Sequence, residues 1–148
     1  MLDRGNDLVQ YSGPGHWNDY DMLIIGLDGN STQLFGTGCS NVEYRTHVSM
    51  WAMVASPMLI GSDVRTLSAY ELETLVNPEI VAVCQDSLGQ ATQTVGVGIQ
   101  DTDTLQVYAR SMVDGSYAVA LLNRGTETAE MSVSPPRDLE EDWAQYRV

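Results

Sequence analysis

Two aspartates stand two residues apart in the stretch Gly13-Pro14-Gly15-His16-Trp17-Asn18-Asp19-Tyr20-Asp21-Met22-Leu23. Paired carboxylates can share acid and base work, accept hydrogen bonds from ligand hydroxyls, or tie down backbone donors in a turn. In an extended segment, residues 17, 19 and 21 share one face and 18, 20 and 22 the other, so Asp19 and Asp21 would point together. Asp19, at the end of a turn, has the structural role as its default, because aspartate readily binds local backbone N–H groups. His16, Asp19 and Asp21 lack a fourth ligand and the spacing of known metal sites, so no metal centre is expected.

The elements that must position these residues follow from punctuation and periodicity. Gly13-Pro14-Gly15 marks a turn, and residues 22–25 form an apolar run of strand length closed by Gly26. The two acids are therefore predicted at or beside a strand. Upstream, Leu2, Leu8, Val9 and Tyr11 recur at loosely helical spacing, which predicts a helix over residues 1–12. Residues 26–40 are rich in Gly, Ser, Thr and Asn and read as a long loop. Ser40 or Asn41 can cap the helix that follows, with Glu43 suited to its first turn. That helix, residues 42–55, is apolar nearly all round and should be buried on more than one side.

Pro57 ends the helix, and residues 58–60 are predicted as a second strand. Ser68 opens another helix with Glu71 three residues on, a capping-box pattern, and Asn77-Pro78 stops it. Residues 80–83 are predicted as a third strand. Strand and helix alternating in this way indicate βα units. Beyond Gly89 the pattern changes: residues 92–97, 105–109 and 117–122 are strand-like, Asp114-Gly115 signals a hairpin, and residues 128–133 are a possible fourth strand. Pro135-Pro136 and the acidic stretch 138–142 end the order or turn the chain. A domain boundary is placed near residue 90, dividing residues 1–90 from 91–148.

The chain has 148 residues, with 20 acidic against 7 basic and a net charge of −13. Such a surface repels nucleic acid and anionic membranes, so neither is expected as a partner. No apolar run is long enough to span a bilayer, and the first residues lack a basic region followed by an apolar core. Cys39 and Cys84 are read as two separate thiols, with a bridge as the minor alternative. Asn30-Ser31-Thr32 fits a glycosylation acceptor. No glycine-rich stretch has a phosphate-loop pattern, and no cofactor is expected.

The Gly-Pro-Gly-x-Trp-Asn-Asp-x-Asp-Met segment, followed by Glu43-Tyr44-Arg45-Thr46-His47, resembles the late barrel region of family 27 glycoside hydrolases, the α-galactosidases and their relatives. The resemblance continues through Trp51-Ala52-Met53, through Ser56-Pro57-Met58-Leu59-Ile60-Gly61-Ser62-Asp63-Val64-Arg65, and through Val81-Ala82-Val83-Cys84-Gln85-Asp86-Ser87-Leu88-Gly89, covering roughly residues 11–89. Tyr20 departs from it where proline is usual, and Cys84 where asparagine is common.

The resemblance implies a fold of mixed class, α/β plus all-β. Residues 1–90 would be the last βα units of a (β/α)8 TIM barrel and residues 91–148 the start of an antiparallel β-sandwich, both incomplete, as in a C-terminal fragment of a longer enzyme. It implies a retaining hydrolase acting on terminal α-D-galactosyl residues, and a secreted or lysosomal setting. The two catalytic aspartates would lie on earlier strands, so no residue of this chain is assigned a catalytic role. Asp21 and Met22 resemble pocket-lining positions, a carboxylate accepting hydroxyl hydrogen bonds beside an apolar contact.

Taken alone, the chain is expected to be inactive and loosely packed. Alternatives within the family are an α-N-acetylgalactosaminidase or an arabinopyranosidase; outside it, a non-catalytic carbohydrate-binding or interaction module. Trp17 either stacks on the sugar or packs in a barrel layer. His47 reads as a hydrogen-bonded core histidine, since no partner nucleophile is evident. Arg45, Asp63 and Arg65 could form an ion-pair set.

Overall fold

The computed structural model of the chain describes residues 2–27, 38–94 and 104–133. Most of the loop expected over residues 26–40, with Asn30 in it, lies outside these residues, as do positions 95–97, Pro135-Pro136 and the acidic stretch 138–142. A short α-helix, α1 (Leu2–Gly5), runs into a 3-10 turn over Asn6–Tyr11, matching the helix expected there.

The longest helix is α2 (Asn41–Met53), and its start is set by chemistry legible in the sequence. Ser40 accepts from the Glu43 N–H while the Glu43 carboxylate accepts from the Ser40 N–H, a reciprocal capping box. Tyr44, Val48, Met50, Ala52 and Met53 are buried, so the helix packs on more than one side. It stops where Ala55 adopts a positive φ of 55°, just before Pro57. Ser68 and Glu71 form a second capping box at the head of α3 (Ala69–Leu75).

Two expected strands are a correction. Residues 22–25 and 58–60 meet through a single parallel bridge, Leu23 to Ile60. The Leu23 N–H donates to Leu59 O at 2.7 Å and Leu23 O accepts from the Gly61 N–H at 2.9 Å. Toward residue 21 the ladder goes no further because the Leu59 N–H turns to Pro57 O and Asp21 O accepts from the Trp51 indole; the Ile24 N–H, which faces away from this partner, goes to the His47 side chain. Residues 80–83 are a second correction, being helical within α4 (Pro78–Cys84). The Asn77 side chain accepts from the Glu79 and Ile80 N–H groups, and Pro78 sits at the helix start, where its missing donor costs nothing. Cap and proline outweigh the strand preference of Val81 and Val83.

A three-stranded antiparallel sheet follows, in the order β1 (Gln93–Thr94), β2 (Leu105–Ser111), β3 (Tyr117–Asn123). The β2–β3 hairpin pairs Ser111 with Tyr117 and turns through Asp114-Gly115 as expected. Gly115 supplies a φ of 86°, and the Asp114 carboxylate accepts from the Ser116 N–H and hydroxyl. Residues 128–133 form no strand. The Asn123 side chain accepts from the Gly125 N–H and donates to Glu127 O, turning the backbone away after β3.

One core gathers Leu23, Ile25, Tyr44 and Val48, and a second gathers Met50, Met53 and Tyr108. Full burial of each aliphatic side chain stabilises by about 1.5–3 kcal/mol. The second core lies where α2 meets the sheet. There the Thr92 N–H donates to Met53 O at 3.0 Å, the Thr92 hydroxyl to Ala109 O at 2.7 Å, and Arg110 Nη1 to Ala52 O. Arg110 is only 1% exposed, and its Nε and Nη2 have no hydrogen-bond partner among the described residues. Both Asp86 oxygens accept from the Val113 N–H at 3.1 Å, tying the end of α4 to the hairpin turn. An Arg124–Asp3 ion pair at 2.7 Å adds a last link.

Candidate functional site

The approach to the two aspartates is a tight turn in which Gly13 and His16 exchange backbone hydrogen bonds of 2.8 and 3.0 Å, with Gly15 at a φ of 87°. Trp17 then lies against Gly89, where an added Cβ would come within 2.7 Å of the indole. The ring packs on that glycine, yet 44% of the residue is exposed. The Asn18 amide donates to Leu8 O at 2.7 Å and holds the chain to the 3-10 turn.

Asp19 and Asp21 do not line one face of a strand. Asp19 Oδ1 accepts the Asp21 N–H at 2.9 Å, which makes Asp19 a backbone acceptor. Asp21 itself has a φ of 78°. That left-handed backbone costs roughly 1–2 kcal/mol for an L-residue, though aspartate tolerates it better than most. It is this turn of the backbone that breaks the alternation expected for an extended segment. Asp21 Oδ1 accepts from the Met22 N–H at 2.7 Å, and its second carboxylate oxygen makes no hydrogen bond among the described residues. Asp21 is exposed, and Met22 is 50% exposed, its side chain passing over Gly61.

Three hydrogen bonds and one packing contact hold this corner from behind. The Tyr20 N–H donates to the buried Ser56 hydroxyl at 3.1 Å, a bond that a proline at position 20 could not make. The Tyr20 ring is buried against Gly5, where an added Cβ would sit 1.6 Å from the phenol oxygen. The Trp51 indole N–H donates to Asp21 O at 2.8 Å. His47 Nε2 accepts the Ile24 N–H at 3.2 Å, and its ring centroid lies 4.0 Å from that of Trp51. That bond requires neutral imidazole with its proton on Nδ1, and burial lowers the His47 pKa. His47 is thus the hydrogen-bonded core histidine expected from the sequence.

Trp51 and Ser56 stand in the blocks that carry the resemblance, but sequence reasoning gives them no role at the site. The available signal is spacing: residues 47 and 51 are four apart on a helix and share one face. The expected set of Arg45, Asp63 and Arg65 divides in two. Asp63 and Arg65 pair at 2.6 Å, while the Arg45 guanidinium lies 5.5 Å from the Tyr70 ring centroid. Cys39 and Cys84 are free thiols. Cys84 Sγ lies 3.9 Å from Ser56 O, and burial pushes its pKa up. Among the described residues no group of three or more His, Cys, Asp or Glu could hold a metal ion, and no helix is long and apolar enough to cross a membrane.

Chemically, the corner offers a solvent-facing carboxylate with one oxygen unengaged beside an exposed thioether. Such a pair can accept hydroxyl hydrogen bonds while covering an apolar ring face. Three cavities of about 450, 340 and 380 Å³ lie elsewhere, and neither Asp21 nor Met22 lines any of them. The chemistry of the corner, not cavity size, makes it the candidate site.

Comparison with known proteins bears on the same residues. The model of the α-galactosidase A family matches residues 1–86, and that of the α-galactosidase C-terminal β-sandwich domain matches residues 102–148. An α-galactosidase of Cyamopsis tetragonoloba is 38% identical over 124 residues, 84% of this chain and 27% of that protein. The α-galactosidase of Saccharomyces cerevisiae, solved with raffinose, superposes with a TM-score of 0.70 at 32% identity, over 84% of this chain and 27% of that one. A family 27 β-L-arabinopyranosidase from Geobacillus stearothermophilus gives a TM-score of 0.73 at 26% identity, over 90% of this chain and 30% of that one. An α-N-acetylgalactosaminidase of Rattus norvegicus is 32% identical over 84% of this chain. The chain spans about a quarter to a third of the length of these relatives.

Proposed function

Since the chain belongs to the α-galactosidase A family of glycoside hydrolases, we propose that it builds part of the sugar pocket of a retaining hydrolase that releases terminal α-D-galactosyl residues. On this reading residues 1–90 are the last βα units of the barrel and residues 91–148 open the sandwich. Family matches ending at residue 86 and beginning at residue 102 support that division. The observation that carries the pocket reading is the Asp21–Met22 corner, an exposed carboxylate with a spare oxygen next to an exposed thioether. Asp21 accepts hydrogen bonds from sugar hydroxyls, and Met22 lies against an apolar part of the sugar ring.

Neither Asp19 nor Asp21 acts as nucleophile or acid. Retention needs two carboxyl groups about 5–5.5 Å apart on either side of the scissile bond, one of them protonated. Asp19 and Asp21 belong to one tight turn, joined by the bond from the Asp21 N–H to Asp19 Oδ1, and on this reading they do not flank the scissile bond. The pair that cleaves the bond is contributed by residues other than these, and the 148-residue chain alone does not hydrolyse galactosides.

The experiment is to isolate the native product carrying this chain, measure its intact mass, and assay it on an aryl α-galactoside. The expected result is a longer protein that hydrolyses the substrate, with Asp21→Ala lowering kcat/KM by ~10- to 100-fold, as for loss of a hydrogen bond to a charged group. A product without hydrolysis and without galactose binding would sink the reading. The likeness to an arabinopyranosidase and an α-N-acetylgalactosaminidase favours a second reading, in which the same corner serves one of those sugars. Parallel assays on the three aryl glycosides separate them.

A further inference from the structure

We propose that Trp51 is a positioning residue for the Asp21–Met22 corner, fixing through its indole N–H the backbone turn from which Asp21 and Met22 meet the sugar. The proposal rests on the pocket reading above for its functional consequence, and on geometry of its own for the rest.

Asp21 is one of two described non-glycine residues with positive φ, and within the turn its N–H is held by Asp19 Oδ1 and the Met22 N–H by its own Oδ1. The anchor from outside the turn comes from α2. The indole N–H reaches Asp21 O at 2.8 Å across thirty residues of sequence. The ring itself is fixed, with His47 at 4.0 Å and the edge of Tyr20 at 6.0 Å between centroids. His47, one turn back on the same face, takes the Ile24 N–H, and Ser56, just past the helix end, takes the Tyr20 N–H. Residues 20, 21 and 24 are therefore bonded to one rigid face, two of them before Met22 and one after it. Of the three bonds, only the one from Trp51 acts on the peptide between Asp21 and Met22. Without it, that peptide keeps only the local bond from the Met22 N–H to Asp21 Oδ1 and can turn, carrying both side chains out of register. Misplacement of a contact by about 1 Å suffices to cost ~100-fold in rate.

The test uses Trp51→Phe, which keeps an aromatic ring in the core and removes the donor. In the native product, Trp51→Phe is expected to lower kcat/KM on an aryl α-galactoside by ~10- to 100-fold. In an Asp21→Ala background it should cost less than in the parent, since only the part that acts through Met22 remains. Additive losses would overturn the proposal, as would wild-type kcat/KM in Trp51→Phe. If instead Asp21→Ala alone leaves activity unchanged, it is the pocket reading that fails. Proton–nitrogen NMR of the native product supplies an arm independent of activity. The Trp51 indole proton should exchange far more slowly than that of half-exposed Trp17. Trp51→Phe should shift the Asp21 and Met22 amides while leaving those of the hairpin turn at 112–116 in place. Unshifted Asp21 and Met22 resonances, or equal exchange of the two indoles, would overturn the positioning claim whatever the assay reads.

Discussion

The Asp21–Met22 corner and the seam between α2 and the sheet solve opposite problems with similar parts. Both are held by side chains that reach backbone carbonyls far along the chain: Trp51 to Asp21 O in the corner, Arg110 to Ala52 O in the seam. In the corner the held residue is exposed, strained in φ, and keeps a carboxylate oxygen unengaged among the described residues. In the seam the reaching residue is buried, and two of its donors lack partners among the described residues. Strain directed at solvent is compatible with binding, whereas buried polar cost serves only to fix two elements together. The corner should therefore be sensitive in activity and the seam in stability.

The largest effect should come from the seam. Arg110→Ala empties a large buried volume and removes the seam donor to Ala52 O, which keeps its local acceptance from the Ala55 N–H, and is expected to lower the unfolding free energy by about 2–5 kcal/mol. Arg110→Met fills most of that volume and removes the unpaired donors, so it should stay within about 1.5 kcal/mol of the parent. Urea midpoints on both variants check this; equal losses would mean that the guanidinium, not its stem, holds the seam. In the corner, Gly5→Ala drives a Cβ into the Tyr20 phenol and should cost about 1–3 kcal/mol. It should also displace the Asp21 amide resonance, since Tyr20 and Asp21 are adjacent. A resonance that stays put would uncouple the Tyr20 ring from the site.

The smallest effect is the pH response of His47. Its pKa in the folded chain lies below the ordinary value of 6.5 because burial disfavours the imidazolium. The unfolded chain then binds more protons below pH 6.5, so the contribution of neutral His47 is complete above that pH and is lost as pH falls toward the folded value. Stability measured between pH 7 and 5 should slope downward with acid, and His47→Gln, which keeps an acceptor for the Ile24 N–H, should flatten that slope. An unchanged slope would assign the loss to other groups.

What the sequence made legible was local. Both serine caps, the helices they open and the Asp114-Gly115 hairpin follow from spacing of three to four residues or from a turn dipeptide, and the core role of His47 from its place in a helix apolar nearly all round with no partner nucleophile evident. What stayed hidden depended on long-range bonds. The strand expected at residues 22–25 reduces to one bridge in part because the Trp51 indole, thirty residues away, takes Asp21 O while the Leu59 N–H turns to Pro57 O. Residues 80–83 looked like a strand because Val81 and Val83 favour one, and the Asn77 cap with Pro78 had been read only as a stop for the helix before it. Asp21 and Met22 were reached through resemblance alone; the φ of Asp21 and the reach of Trp51 are not encoded in any window around them.

The bond from Arg110 to Ala52 spans 58 residues, and that from Arg124 to Asp3 spans 121. The capping boxes span three. Closing a loop costs entropy that rises with its length, and folding slows as such distant pairings come to dominate. The hairpin and capped helices can therefore form on their own timescale, ~1–10 μs for a hairpin, well before the seam is complete. The order of assembly runs opposite to the order of dependence. Met53, Thr92 and Arg110 meet only after the units they join exist, so a substitution in the seam should act mainly on the rate of unfolding, and one in a cap on how readily its helix begins.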